Sequence, residues 1–167
     1  LSGLHWEINT NEIWDRTSSS KPPMIGRTGA VHLNVAERLA KAGARTDLTD
    51  RYNMNIMMRA ARNGKPEVID FMTKHGLDIN ATDSTGMSAL HYAAIYGQVK
   101  ALQKLIDLGA KVNLGNEEGR TPIESVRRKL DKLVIRVPGG TLTMNLPKLP
   151  EKVQEEVIGI LELAGGK

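Results

Sequence analysis

The sequence repeats itself at a fixed interval, and that interval limits the folds open to it. Asp50, Asp83 and Asn116 stand 33 residues apart. Gly64 and Gly97 keep the same spacing, as do Gly43, Gly76 and Gly109, and Asn80 and Asn113. Residues 50–82 read DRYNMNIMMRAARNGKPEVIDFMTKHGLDINAT, and residues 83–115 read DSTGMSALHYAAIYGQVKALQKLIDLGAKVNLG. The segment NEEGRTPIESV, residues 116–126, restarts the pattern. A unit this short cannot bury an apolar face alone, so units at this period must stack on their neighbours.

Each unit carries the signals of two short helices. In 83–115, Leu90, Ala93 and Ala94 lie at i, i+3 and i+4, a narrow stripe of small residues on a first helix. Gly97 ends that helix where a left-handed backbone is needed. Val99, Leu102, Leu105 and Ile106 predict a second, amphipathic helix, which Gly109 ends. The stretch AKVNLGNEEG then reads as a turn. In 50–82 the first helix uses Ile56, Met57, Ala60 and Ala61, and the second uses Val68, Ile69 and Met72. Asn53 holds the turn-glycine position there, and Asn tolerates positive φ better than other non-glycine residues.

The period, together with Ser88-Ala89-Leu90-His91 and Thr121-Pro122-Ile123-Glu124, resembles the ankyrin repeat and its T-P-L-H-x-A signature. The resemblance covers residues 50–126, and Asn55-Ile56-Met57-Met58 departs from the signature. It implies an all-α ankyrin-repeat solenoid of about four helix-turn-helix repeats, acting as a scaffold in protein–protein interaction. It also implies that His91 fastens one turn to the next by hydrogen bonds.

The ends depart from the period. Val35, Ala36 and Leu39 align with Val68, Ile69 and Met72, so residues 34–49 read as the second helix of an earlier repeat. The stretch before it, SKPPMIGRTGA, is a poor helix, rich in Gly and Pro. Residues 17–49 are expected to form a degenerate repeat. Residues 1–16, with Trp6, Ile8, Ile13 and Trp14, are expected to cap it. The chain starts at Leu1 and not at Met, and is read as a fragment or processed form. At the other end, Pro122 suits a first helical position. The matching second helix, KVQEEVIGILELAGG, comes late: Gly165 answers Gly109 at a spacing of 56, an insertion of 23 residues.

Within the insertion, Leu133–Val137 and Thr141–Leu146 alternate in polarity around Pro138-Gly139-Gly140. This predicts a β-hairpin with a three-residue connection. Leu133, Ile135 and Val137 would share one side with Leu142, Met144 and Leu146, and that side is expected to rest on the end of the stack. Ile123, Val126, Leu130 and Leu133 also permit a longer first helix. The chain thus reads as one domain, 1–167, whose repeats occupy 50–82, 83–115 and 116–167, the last interrupted at about 130–150.

Catalytic patterns are missing. There is no cysteine, which excludes disulfides, thiolate metal sites and thiol nucleophiles. His91 beside Ser88 invites a general-base reading, but no carboxylate is placed to orient the ring, so the structural reading is preferred. His5, His32 and His75 share no ligand spacing. Glu117-Glu118 and Glu155-Glu156 read as solvated faces. Gly139-Gly140 and Gly165-Gly166 lack the Lys-Ser/Thr of a phosphate loop. No enzyme activity, metal or cofactor is expected. The longest apolar runs are too short to span a membrane, and a cytoplasmic, monomeric protein is expected.

The surface is where function is expected. From Arg120 to Pro150 there are seven basic residues, Arg120, Arg127, Arg128, Lys129, Lys132, Arg136 and Lys148, against Glu124 and Asp131. This segment reads as a dock for an acidic partner segment, as a phosphate or nucleic-acid contact, or as a solvated face. Aromatics make up only 4% of the chain, which disfavours base stacking. Tyr52, Tyr92 and Tyr96 are expected at exposed or concave positions, and Met54 at a fingertip. The expected partner surface comprises Arg51, Tyr52 and Met54; Ser84, Thr85, Met87, Ile95 and Tyr96; and Glu117, Glu118, Arg120, Arg128, Lys129, Lys132 and Arg136.

Overall fold

Pairs of helices recur three times along the described residues, the first two pairs joined by a tight turn and the third by the insertion. The computed structural model describes residues 49–50, 52–128, 132–137, 140–145 and 149–167. The first pair is α1 (Ile56–Arg62) and α2 (Pro66–Lys74), the second α3 (Ala89–Ile95) and α4 (Val99–Asp107), the third α5 (Pro122–Arg127) and α6 (Glu151–Leu163). First helices stack in the order α1, α3, α5, and second helices in the order α2, α4, α6. The expected cap at 1–16, and the degenerate repeat save Thr49, lie outside the described residues.

The stripe read from the sequence is the core. Leu90, Ala93, Ala94, Leu102 and Leu105 are buried, as are Met57, Ala60, Ala61, Val68, Ile69 and Met72. All belong to one continuous cluster that runs through the three pairs. Small residues on the first helices let neighbouring backbones approach, so burial is shared between repeats and no pair is stable alone.

Local chemistry sets the helix ends. The N-cap residues Asn55, Ser88 and Thr121 have extended backbones, as a cap requires. After α3, Gly97 takes φ +64, and the next N–H, that of Gln98, reaches back to the Ala93 carbonyl. The same closing bond recurs from Lys65 to Ala60, Leu77 to Met72, Ala110 to Leu105 and Gly166 to Leu161. In the last turn Gly165 takes φ +88, as Gly109 does.

The insertion forms an antiparallel hairpin of β1 (Lys132–Val137) and β2 (Gly140–Asn145). Leu133 pairs with Met144 and Ile135 with Leu142, which sets these positions of the two strands on one face, as expected. Val137 pairs with Gly140, so the connection has two residues, not the three expected; a two-residue loop follows the twist of the strands more closely. The longer first helix does not form. α5 stops at Arg127 and Leu133 belongs to β1, where alternation and β-branched residues outweigh the weak helical face. The expected docking of the hairpin's apolar side on the stack rests on side chains outside the described residues; α6 itself covers α5 and α4.

Candidate partner-binding surface

The period-locked residues Asp50, Asp83 and Asn116 build three matching turns. In each, one side-chain oxygen accepts from the backbone N–H groups two and four residues on. Asp50 takes Tyr52 and Met54, Asp83 takes Thr85 and Met87, and Asn116 takes Glu118 and Arg120, all within 2.8–3.1 Å. The left-handed corner is Asn53, Gly86 or Gly119, at φ 58, 74 and 72. Neighbouring turns are joined by backbone bonds: Ser84 N–H donates to the Tyr52 carbonyl at 2.9 Å, and Glu117 N–H to the Thr85 carbonyl at 3.0 Å. The fingertips therefore form a short ladder with fixed spacing.

The second oxygen of each aspartate reaches into its own first helix. Asp50 Oδ2 pairs with Arg59, and Asp83 Oδ2 accepts from the Tyr92 hydroxyl. Burial, with Asp83 beside it, raises the Tyr92 phenol well above its usual range. His91 is fully buried. The N–H and hydroxyl of Ser88 both meet its Nδ1, so Nε2 carries the proton and donates to the Arg120 carbonyl at 3.0 Å. Burial holds the imidazole below its ordinary pKa, hence neutral. The residue is a fastener between repeats, as the family resemblance implied.

Several expected surface residues are core. Met54 and Met87 are 7% and 1% exposed. Each directly precedes an N-cap, where an apolar residue turns inward onto the helix start, and each closes its turn with Asp50 or Asp83. Ile95 and Tyr92 are buried as well, because α3 is covered by α1, α5 and α4. Tyr52, Ser84, Thr85, Tyr96 and Arg120 are half-buried, and Glu117, Glu118 and Arg128 are exposed. Arg51 and Lys129, and the side chains of Lys132 and Arg136, lie outside the described residues.

Ion pairs thin the basic segment. Arg120 pairs with Glu118 at 2.7 Å, and Arg127 with Glu162 across α5 and α6. Sequence reasoning missed Arg62, whose guanidinium lies 5.2 Å from the centre of the Tyr96 ring, next to the Tyr92 ring. Nothing in the period flags it, since Ile95 stands one period later. Among the described residues no His, Asp and Glu group is arranged to hold a metal, and no helix is long and apolar enough to cross a membrane.

The chain is similar to stretches of much longer proteins. It is 28% identical over 95 residues to the E3 ubiquitin-protein ligase Ufd4 of Drosophila melanogaster, covering 57% of this chain and 3% of that one. A transient receptor potential cation channel subfamily A member 1 homolog of Caenorhabditis elegans is 36% identical over 87 residues, which is 52% of this chain and 7% of the channel protein. BCL-6 corepressor-like protein 1 of Mus musculus is 30% identical over 105 residues, 62% of this chain and 6% of its own length. This chain therefore spans only a small fraction of each. The family model for ankyrin repeats, in three copies, matches residues 28–122, more than half of the sequence. With the stacked helix pairs, the capped turns and the His91 fastener in place, the chain belongs to the ankyrin-repeat family.

Proposed function

We propose that this chain is a binding module, not an enzyme, which recognises a partner protein through its fingertip turns and the concave face formed by its first helices. Ankyrin repeats are generally protein–protein interaction modules. The observation that carries the reading is the fingertip ladder. Its backbone groups are satisfied internally, so side chains are displayed from a pre-organised edge and binding costs little ordering entropy. Tyr52, Thr85, Glu117 and Glu118 supply aromatic, hydroxyl and acidic contacts along that edge, and the Arg62–Tyr96 pair adds a cationic and aromatic contact at the other, C-terminal ends of α1 and α3. This mix suits a folded or peptide partner of mixed polarity better than a polyanion.

The test is a comparison of capture profiles. The parent protein and a variant carrying Tyr52→Ala, Glu117→Arg and Arg128→Glu would be immobilised side by side, and folding checked by circular dichroism. Proteins retained by the parent should be lost from the variant at equal melting temperature. Equal retention by both would overturn the fingertip reading.

A further inference from the structure

The hairpin is the part of the described chain that repeat stacking does not account for. β1 and β2 pair with each other over six residues each. Among the described residues neither strand has a second strand neighbour. A lone two-stranded ribbon is marginal in water, and a third strand is what makes such a ribbon stable. Free edges of this kind are templates for another chain.

The register says what that chain should look like. By alternation, positions 132, 134 and 136 share one face and positions 133 and 135 the other. On the first face stand Lys132 and Arg136, paired with Asn145 and Thr141; on the second stand Leu133 and Ile135, paired with Met144 and Leu142. From Lys132 through Lys148 the sequence contains no Asp or Glu. We propose that the outer edge of β1 is a docking site for an extended acidic segment of a partner protein. The segment adds as a third strand, with acidic residues four apart beside Lys132 and Arg136 and apolar residues beside Leu133 and Ile135. The proposal rests on the reading of the chain as an interaction module, and names one partner chemistry for it. A second copy of the chain is disfavoured at this edge: symmetric β1 pairing about Val134 sets Lys132 opposite Arg136 at both ends, and like charges directly opposite are destabilising. The edge of β2, with Thr141, Thr143 and Asn145, carries no charge to select an acidic strand.

The experiment titrates an end-capped peptide of alternating Glu and Val into the isotope-labelled full chain, following amide exchange by NMR. Amides of 132–137 should gain protection while those of the 83–88 fingertip do not change. Lys132→Glu with Arg136→Glu should weaken binding about tenfold and confer binding of the matching Lys-Val peptide. Should that pair of substitutions melt the hairpin, Lys132→Gln with Arg136→Gln, checked by cross-strand proton contacts, should give an intermediate loss. Four results overturn the site. These are β1 amides fully protected before peptide is added, protection on β2 instead, self-association that accounts for β1 protection, and affinity indifferent to the charge changes. If the peptide fails to bind while the fingertip variant still loses its partners, this inference falls and the fingertip reading stands.

Discussion

The repeats at 50–82 and 83–115 start their first helices with different residues and reach the same geometry. In the second, Ser88 and His91 cap each other, and His91 continues to the Arg120 carbonyl of the next turn. In the first, Asn55 caps alone, its Oδ1 accepting from Met58 N–H at 3.0 Å. The residue one period before His91 is Met58, 1% exposed and incapable of a polar bridge. Both turns nevertheless close through Asp50 and Asp83, and both helices stack. The signature Ser and His are thus an added fastener between repeats. The helix needs only a capping oxygen and an apolar stripe.

The largest effect should come from the part the two repeats share. Leu90 is 1% exposed and lies between α1 and α5 in the stack. Leu90→Ala should lower stability by roughly 2–5 kcal/mol, the lost transfer energy plus a cavity that the neighbouring helices only partly close. Urea denaturation giving a loss under about 1 kcal/mol would show that the stripe is not the element common to both repeats.

The next effect tests what they do not share. His91→Met gives the 83–115 repeat the residue of its neighbour. Ser88 N–H and hydroxyl then lose their acceptor, so about 1–3 kcal/mol should be lost at pH 7, the cost of leaving buried donors unsatisfied. The variant should also differ in its pH dependence. Burial depresses the folded pKa of His91 below the ordinary value of 6.5, so the unfolded chain takes up the proton first as pH falls. This residue's contribution is whole above that value and is lost as pH falls toward the folded pKa. The parent should therefore lose stability as pH falls below about 6.5, and the gap between parent and variant should narrow. A constant gap across that range would mean that His91 is not held neutral by burial.

Most of the fold could be read from the sequence because its causes are local and periodic. Gly97 and Gly109 mark helix ends, Leu90 and Leu105 mark the core, and the 56-residue spacing of Gly109 and Gly165 locates the insertion. The candidate surface was less legible. Met54, Met87 and Ile95 sit at positions that periodicity leaves outside the stripe, yet they are buried, because the residue before each cap turns inward and α3 is covered on several sides. Periodicity reports one helix face and does not see packing from elements above and below. For the same reason Arg62 over Tyr96 was missed: the contact joins the ends of two helices and follows no spacing. The roles of Asp50, Asp83 and Asn116 were visible only as a recurrence, since the paired N–H acceptances depend on turn geometry that no spacing states.

The smallest effect separates the two fingertip corners. Gly86 at φ +74 and Asn53 at φ +58 have the same backbone hand. They differ in what lies beyond: a Cβ on Gly86 would come within 2.6 Å of the Glu117 backbone nitrogen and 3.0 Å of the Asn116 carbonyl carbon. Those atoms belong to the next fingertip, and Glu117 N–H is the donor that holds it to Thr85. Gly86→Asn can be accommodated only by moving one turn away from the other, which strains or breaks that bond and should cost about 1–2 kcal/mol. Asn53→Gly removes a Cβ from a corner that already tolerates it. Relief of the left-handed strain is offset by the greater entropy of glycine in the unfolded chain, so the change should stay within about 0.5 kcal/mol. The informative readout is exchange at the Glu117 amide, which should quicken in Gly86→Asn and not in Asn53→Gly. Equal melting temperatures and unchanged Glu117 exchange in both variants would mean that the turns are not locked to one another, and the proposed binding edge would lose the rigidity on which it depends.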